Sequence, residues 1–278
     1  MSCEIVTSNS KYFCDTIESV SQVLRLGYLS VRDDGLYVSG MDEMHVSLIK
    51  LEIEKDDFDT FTKTGSVNIG LNFEEFVKIL KTSSGNGILL LKYNESNPKL
   101  QIVFNNDGLK RKYSIMLIDI DIDDIEVPCI DYHLELKLCT KLFTNIIQSV
   151  IATEAEEITF QIRDKKLLAL SKGDISETEF TFDKKEGFSN KTNLKLSLKK
   201  KSSDKVVNKK KLYELLSCEG NFSVTVGISL LKNIIKANNL TDYVTLNMIA
   251  NNPIRLDYNL NEDGSFIYYY VSPKLEDY

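Results

Sequence analysis

KYFCDTIESV, residues Lys11 to Val20, and KLFTNIIQSV, residues Lys141 to Val150, are one phrase written twice at a spacing of 130. They agree at the lysine, at Phe13 and Phe143, at Ile17 and Ile147, and at the serine and valine that close each stretch. Phe13, Ile17 and Val20 recur at helical spacing, so each copy is an amphipathic helix with one buried stripe. Working outward, one residue of slippage lays Val31-Arg32-Asp33 over Ile162-Arg163-Asp164, and Leu36 over Leu167. Phe73 to Pro98 then lies over Ile228 to Pro253 at a spacing of 155, pairing Phe76 with Leu231, Ile79 with Ile234, Leu80 with Ile235, Lys81 with Lys236 and Pro98 with Pro253. Self-similarity at such a period predicts a duplicated unit.

Each half reads as a helix, a run of short strands, a second helix and more strands. Phe73, Phe76, Val77 and Leu80 mark the second helix, while Leu36 and Val38, Leu100, Ile102 and Phe104, Ile158, Phe160 and Ile162, and Val244, Leu246 and Met248 alternate as strands do. All four prolines punctuate: Pro98 and Pro253 in equivalent turns, Pro128 between the halves, Pro273 in the tail. The expected fold is α+β, two similar halves with antiparallel sheets on one side and two helices each on the other.

With 278 residues, 42% apolar and 27% charged, the chain has an ordinary globular composition and no run approaching a membrane span. The first residues mix Glu4, Lys11, Asp15 and Glu18 with apolar positions, so neither a secreted nor a membrane protein is expected. Five scattered cysteines without a C-x-x-C pair argue against a disulfide framework or a zinc site, and fit a reducing compartment. Only His45 and His133 are present, with no phosphate-binding glycine loop and no helical metal pair. Asp119, Asp121 and Asp123 alternate with Ile118, Ile120 and Ile122, which reads as a solvated edge strand rather than paired catalytic carboxylates. The expectation is a protein without catalysis, metal or cofactor.

Net charge is −7, yet Lys184 to Lys211 holds eleven lysines against Glu186 and Asp204. That segment reads as a solvated loop inserted in the second half. The helical lysines repeat: Lys11 and Lys141 open the first helix of each half, while Lys78 with Lys81 and Lys232 with Lys236 lie on the polar side of the second. Basic residues repeated on equivalent helices suit a sequence-blind track for a phosphate backbone.

GMDEMHVSL from Gly40, IDIDIDDIEVPCIDY from Ile118 and YYYVSPKLED from Tyr268 occur in that order, and together they resemble the proliferating cell nuclear antigen family, the eukaryotic-type DNA sliding clamps. The resemblance spans essentially the whole chain apart from the lysine-rich stretch. It implies a clamp fold with a first half at 1–117, a connecting loop at 118–133, and a second half at 134–278 holding the insertion 184–211 and a partner-binding tail at 269–278. It further implies a homotrimeric ring around double-stranded DNA, non-catalytic, with no cofactor. Such a ring tethers a replicative polymerase and other PIP-box proteins, such as flap endonuclease and DNA ligase, and is opened by a clamp loader. The expected location is the nucleus, or a cytoplasmic replication site for a viral source. Heterotrimeric checkpoint clamps and monomeric viral-type processivity factors share the fold and remain the alternative.

Carried over by position, the DNA contacts would be Lys11, Lys78, Lys81, Lys141, Lys232 and Lys236. The partner pocket would comprise Met41, His45, Val46, Leu48, Ile125, Val127, Pro128, Tyr132, Pro253, Tyr270, Ser272 and Pro273. Subunits would pair along Lys110 to Leu117 and Ile175 to Asp183, with Lys110, Arg111 and Lys112 near Glu177 and Glu179, and Tyr113 and Ile115 near Phe180 and Phe182. Two departures stand out: the inner helices carry fewer basic residues than the family's, and Arg163 occupies the position resembling the ubiquitin-acceptor lysine, with Lys165 and Lys166 close by.

Overall fold

Asn9 and Asn72 start the helices of the first half, each side chain accepting a hydrogen bond from a first-turn amide, that of Tyr12 and of Glu75. The second of these helices also places Glu74 and Glu75 in its first turn and Lys78 and Lys81 in its last, matching the helix dipole at both ends. The structure, a computed structural model, describes residues 1–82, 87–106, 108–120, 130–163, 166–182, 212–218, 221, 223–262 and 264–274. In chain order the first half runs β1 (Ser2–Thr7), α1 (Ser10–Ser21), β2 (Leu26–Val31), β3 (Gly35–Met41), β4 (Ser47–Glu54), a 3-10 turn (Lys55–Asp57), β5 (Thr60–Thr64), β6 (Val67–Asn72), α2 (Phe73–Lys81), β7 (Ile88–Asn94), β8 (Asn97–Asn106) and β9 (Leu109–Met116). The second repeats the order: β10 (Leu134–Cys139), α3 (Thr140–Ala152), β11 (Glu157–Arg163), β12 (Lys166–Lys172), β13 (Glu177–Phe182), β14 (Tyr213–Cys218), β15 (Ser223–Gly227), α4 (Ile228–Ile234), a 3-10 turn (Ile235–Asn239), β16 (Tyr243–Met248), β17 (Ile254–Asn259) and β18 (Phe266–Val271).

All strand pairs are antiparallel. They form a five-stranded sheet β5-β1-β7-β8-β9, a nine-stranded sheet β14-β10-β16-β17-β18-β4-β3-β2-β6, and a four-stranded sheet β13-β12-β11-β15. The duplication explains this arithmetic. Strands β14-β10-β16-β17-β18 repeat the five-stranded sheet, and β13-β12-β11-β15 repeat β4-β3-β2-β6. The nine-stranded sheet is therefore five strands of the second half joined to four of the first, through β18 and β4. Past the β7–β8 turn the repeat shortens by one residue, so buried Leu100, Ile102 and Phe104 match buried Ile254, Leu256 and Tyr258.

Helices cover the inward face of this sheet system. Phe13 of α1 meets Phe76 of α2 edge-on at 6.5 Å, and both rings are buried. Tyr269 of β18 donates its buried hydroxyl to the Ser19 carbonyl of α1 at 3.2 Å, tying the second half to the first. At the far end of the same seam Asp57 accepts from Asn261 at 2.7 and 2.6 Å and from the Ser265 hydroxyl, which in turn accepts from the Glu54 amide. Of these side chains Tyr269 and Ser265 are buried, and buried polar groups satisfied across the seam fix the register of the two halves.

The alternating Ile118 to Asp124 is not a strand where it is described. The Ile118 amide reaches the Gly70 carbonyl at 3.0 Å, but at Ile120 the Tyr28 hydroxyl takes over both backbone groups, donating to the carbonyl at 2.6 Å and accepting from the amide at 3.2 Å. A side chain replaces the ladder there, which ends strand pairing. The segment runs so close that a Cβ on Gly70 would lie 1.9 Å from the Ile118 oxygen. Asp121 and Asp123 lie outside the described residues.

Candidate partner, DNA and subunit interfaces

Strand register puts four side chains in one row across the outward face of the long sheet: Met41 of β3, Leu48 of β4, Tyr270 of β18 and Arg255 of β17. Alternation turns Ile49 and Leu51 to the core and Leu48 outward, yet Leu48 is only 5% exposed. Its surroundings explain that. The Ser272 amide donates to the Val46 carbonyl at 2.9 Å, one rung beyond Val271 and Ser47, so the tail carries the β18–β4 pairing on alongside the β3–β4 turn, and half-buried Pro273 follows. In that turn Asp42 accepts from the amides of Val46 and Ser47 at 2.8 Å each, while His45 adopts φ 56° and is exposed. Half-buried Pro253 precedes β17 at the end of the row. The structure thus brings Met41, His45, Val46, Leu48, Tyr270, Ser272 and Pro273 to one edge, with Pro253 and Tyr132 beyond β18. Ile125, Val127 and Pro128 lie outside the described residues.

Arg255 sets the character of that far end. It is bidentate to Asp257, Nε to Oδ1 at 2.7 Å and Nη2 to Oδ2 at 2.9 Å, and its guanidinium lies 5.1 Å from the ring centres of both Tyr132 and Tyr268. Asn247 donates to the same carboxylate at 2.9 Å. Burial pushes the Asp257 carboxyl above its usual range against the pull of Arg255. Burial likewise pushes the Tyr132 phenol up to about 12, and its oxygen is buried without a hydrogen-bond partner among the described residues.

The lysines assigned to DNA are all exposed on the helix layer, Lys11 on α1, Lys78 and Lys81 on α2, Lys141 on α3, Lys232 on α4 and Lys236 on the turn that follows. They are unequal. Lys81 pairs with Glu18 of α1 at 2.8 Å and Lys78 with Glu75 at 2.6 Å, whereas Lys141, Lys232 and Lys236 form no ion pair among the described residues.

The subunit residues lie on two sheet edges. β9 closes one end of the five-stranded sheet and β13 one end of the four-stranded sheet. Lys110 and Lys112 are exposed on β9 and Tyr113 and Ile115 half-buried; Glu177 and Glu179 are exposed on β13 and Phe180 half-buried. Glu177 pairs with Lys172 of its own hairpin at 3.0 Å, and Phe182 is buried against Tyr213.

Two sequence profiles match this chain: the N-terminal domain of proliferating cell nuclear antigen over residues 4–126, and its C-terminal domain over residues 188–274. The chain belongs to the proliferating cell nuclear antigen family. The second match opens inside the 184–211 stretch read above as an insertion, and that stretch lies outside the described residues. Among relatives, a protein named DNA polymerase sliding clamp from Methanococcus vannielii is 24% identical over 272 residues, covering 97% of this chain and 98% of the other. One of the same name from Thermococcus gammatolerans is 28% identical over the full length of both. Proliferating cell nuclear antigen 2 of Drosophila melanogaster is 26% identical, covering 94% and 93%. The crystal structure of proliferating cellular nuclear antigen from Entamoeba histolytica superimposes with a TM-score of 0.82 at 20% identity, over 98% and 99% of the two chains, and so shares the clamp fold.

Arg255 and Asp257 escaped the sequence reading of this clamp-family chain. The signal was there, since the first half carries Gln101 and Val103 at the matching positions of β8. The charge pair is therefore present in one of the two copies and absent from the other.

Proposed function

We propose that three copies of this chain close head to tail into a ring, that duplex DNA passes through it along the helix layer, and that the outer row from Met41 to Tyr270 holds a replicative polymerase and other PIP-box proteins. The protein itself catalyses nothing. The halves divide at 1–117 and 134–278, joined by the loop 118–133, with 269–278 as the partner-binding tail. A clamp loader would open the ring, flap endonuclease and DNA ligase would dock as the polymerase does, and the site of action is the nucleus, or a cytoplasmic replication site for a viral source.

The β18–β4 junction carries this reading. In that junction Tyr269 faces Ile49, Tyr268 faces Lys50 and Val271 faces Ser47. By the repeat, β9 stands where β18 does and β13 where β4 does, but β9 and β13 lie at open edges. Building the same junction between two copies sets Tyr113 opposite Thr178, Lys112 opposite Glu179, and Arg111 opposite Phe180. It also sets Met116, 64% exposed, opposite Ile175, 94% exposed, covering two apolar side chains that a lone chain leaves in water. Opposite charges and matched apolar ends favour closure, and a head-to-tail contact of this kind generates a ring.

Light scattering on the purified protein tests it: three chains of 31.7 kDa give about 95 kDa, and the ring should stay on nicked circular DNA and leave when that DNA is cut. A monomer at micromolar concentration would overturn it. Tyr270→Ala should abolish binding of a PIP-box peptide with the mass unchanged. One observation favours the alternative, a subunit of a mixed clamp or a monomeric processivity factor: the ion pairs of Lys78 and Lys81 leave the inner helices weakly basic. A mass of one chain would decide for it.

A further inference from the structure

We infer that Arg255 is a positioning residue for partner docking, clamping the exit of the connecting loop onto the outer sheet through Tyr132. This rests on the proposed docking row and adds a residue outside the resemblance-derived pocket. Four observations converge. Arg255 completes the row of Met41, Leu48 and Tyr270 by strand register. Its guanidinium is fixed at both oxygens of Asp257, whose carboxylate is itself held by Asn247, so the planar group has one orientation. The two aromatic rings against that plane come from different places, Tyr268 from β18 and Tyr132 from the loop exit. And the Tyr132 hydroxyl is buried without a partner among the described residues, leaving the cation as the specific contact that holds the ring.

The loop is secured at its entry by different means. Ile118 and Ile120 are held through Gly70 and the Tyr28 hydroxyl, whereas at the exit, among the described residues, only the His133 amide reaches strand backbone, at Met248 at 3.2 Å. The first half shows what the fold needs without such a clamp: Gln101 and Val103 stand at the matching places, and β8 pairs with its neighbours on both sides. The Arg255–Asp257 pair is thus dispensable for the sheet. Its contribution is to the loop exit, and an exit held in place before a peptide arrives loses less entropy on binding.

Arg255→Gln with Asp257→Val tests this, because it takes the first half's residues at both places and strands no buried charge, while buried Asn247 keeps the backbone carbonyl of residue 255 as acceptor at 3.4 Å. A fluorescein-labelled peptide with an aliphatic anchor followed by two aromatic residues serves as probe, read by anisotropy. The double variant should keep wild-type mass and melting temperature and lose about tenfold in peptide affinity, the order expected when an ordered side chain must be fixed again on binding. Arg255→Lys should not restore affinity, since an ammonium lacks the fork and the stacking plane. Hydrogen exchange of Ile130 to His133, measured without peptide, should speed up in the double variant. Unchanged exchange, or wild-type affinity in the Arg255→Lys variant, would overturn the inference. Failure of the wild type to bind the peptide would instead count against the docking row, while the exchange result still judges the clamp.

Discussion

Besides its pairing with Ile49, Tyr269 reaches the first half through its hydroxyl, and its ring sits edge-on to Tyr258 at 5.8 Å in the core. Tyr269→Phe removes that hydrogen bond and keeps the packing. A loss of about 1 kcal/mol, read from the urea midpoint, is expected. Cys3 and Cys14 give a second handle, because burial pushes both thiols up to about 11 from an ordinary value of 9.0. A folded-state pKa above the unfolded one supplies stability that is complete below pH 9 and lost as pH rises through 11. Urea midpoints measured from pH 8 to 11 should therefore fall, and Cys3→Ala with Cys14→Ala should make the fall shallower. At this scale the sequence named much of the candidate row: Met41, Leu48, Tyr270 and Pro273 stand in recognisable phrases, and strand register sets the first three side by side. Arg255 showed only as a difference from Gln101 of the first half, because nothing in a linear sequence says which rings its guanidinium will lie between.

Helices were the easiest elements to read, since the stripes Phe13, Ile17, Val20 and Phe73, Phe76, Leu80 repeat at helical spacing and all six are buried. Their charge balance was not. The Glu18–Lys81 pair bridges two helices distant in sequence, so the neutralisation of α2 appears only in three dimensions. The helix expected across Lys232 and Lys236 also tightens after Ile234 into a 3-10 turn. There Asn238 is drawn inward, donating to the Thr140 carbonyl and the Thr144 hydroxyl at 3.1 and 2.7 Å and accepting from Tyr258 at 2.8 Å. The two helix pairs therefore predict unequal DNA contacts. Lys141→Ala, Lys232→Ala and Lys236→Ala should each weaken duplex binding and lower the slope of log K against log salt by about one. Lys78→Ala should leave that slope nearly unchanged, because Glu75 already takes the charge. Anisotropy with a labelled duplex over a potassium chloride series measures both.

Across the whole molecule the duplication was plain, but the sheet that crosses it was not. Periodicity within β4 or β18 shows which face is buried and is silent on which distant strand lies alongside. The fusion of five strands with four follows only from their edges, and those edges carry the assembly prediction. Lys112→Glu should lower the solution mass at micromolar concentration, and Glu179→Lys in the same chain should restore it, with light scattering as the readout. Recovery in the double reversal would assign the pair to one seam, because each single change leaves like charges facing each other.

The seam between β4 and β18 lies inside one polypeptide, so the effective concentration of its two strands is set by the fold and is the same in a drop as in a litre. The matching seam between β9 and β13 of different copies has no such tether. In a closed ring, dilution would act on alternate seams only, parting whole chains from one another while the nine-stranded sheet within each chain stays intact. Two chains fused tail to head by a linker long enough to span them would convert one of those openings into the tethered kind, and the ring should then persist at concentrations where separate chains fall apart.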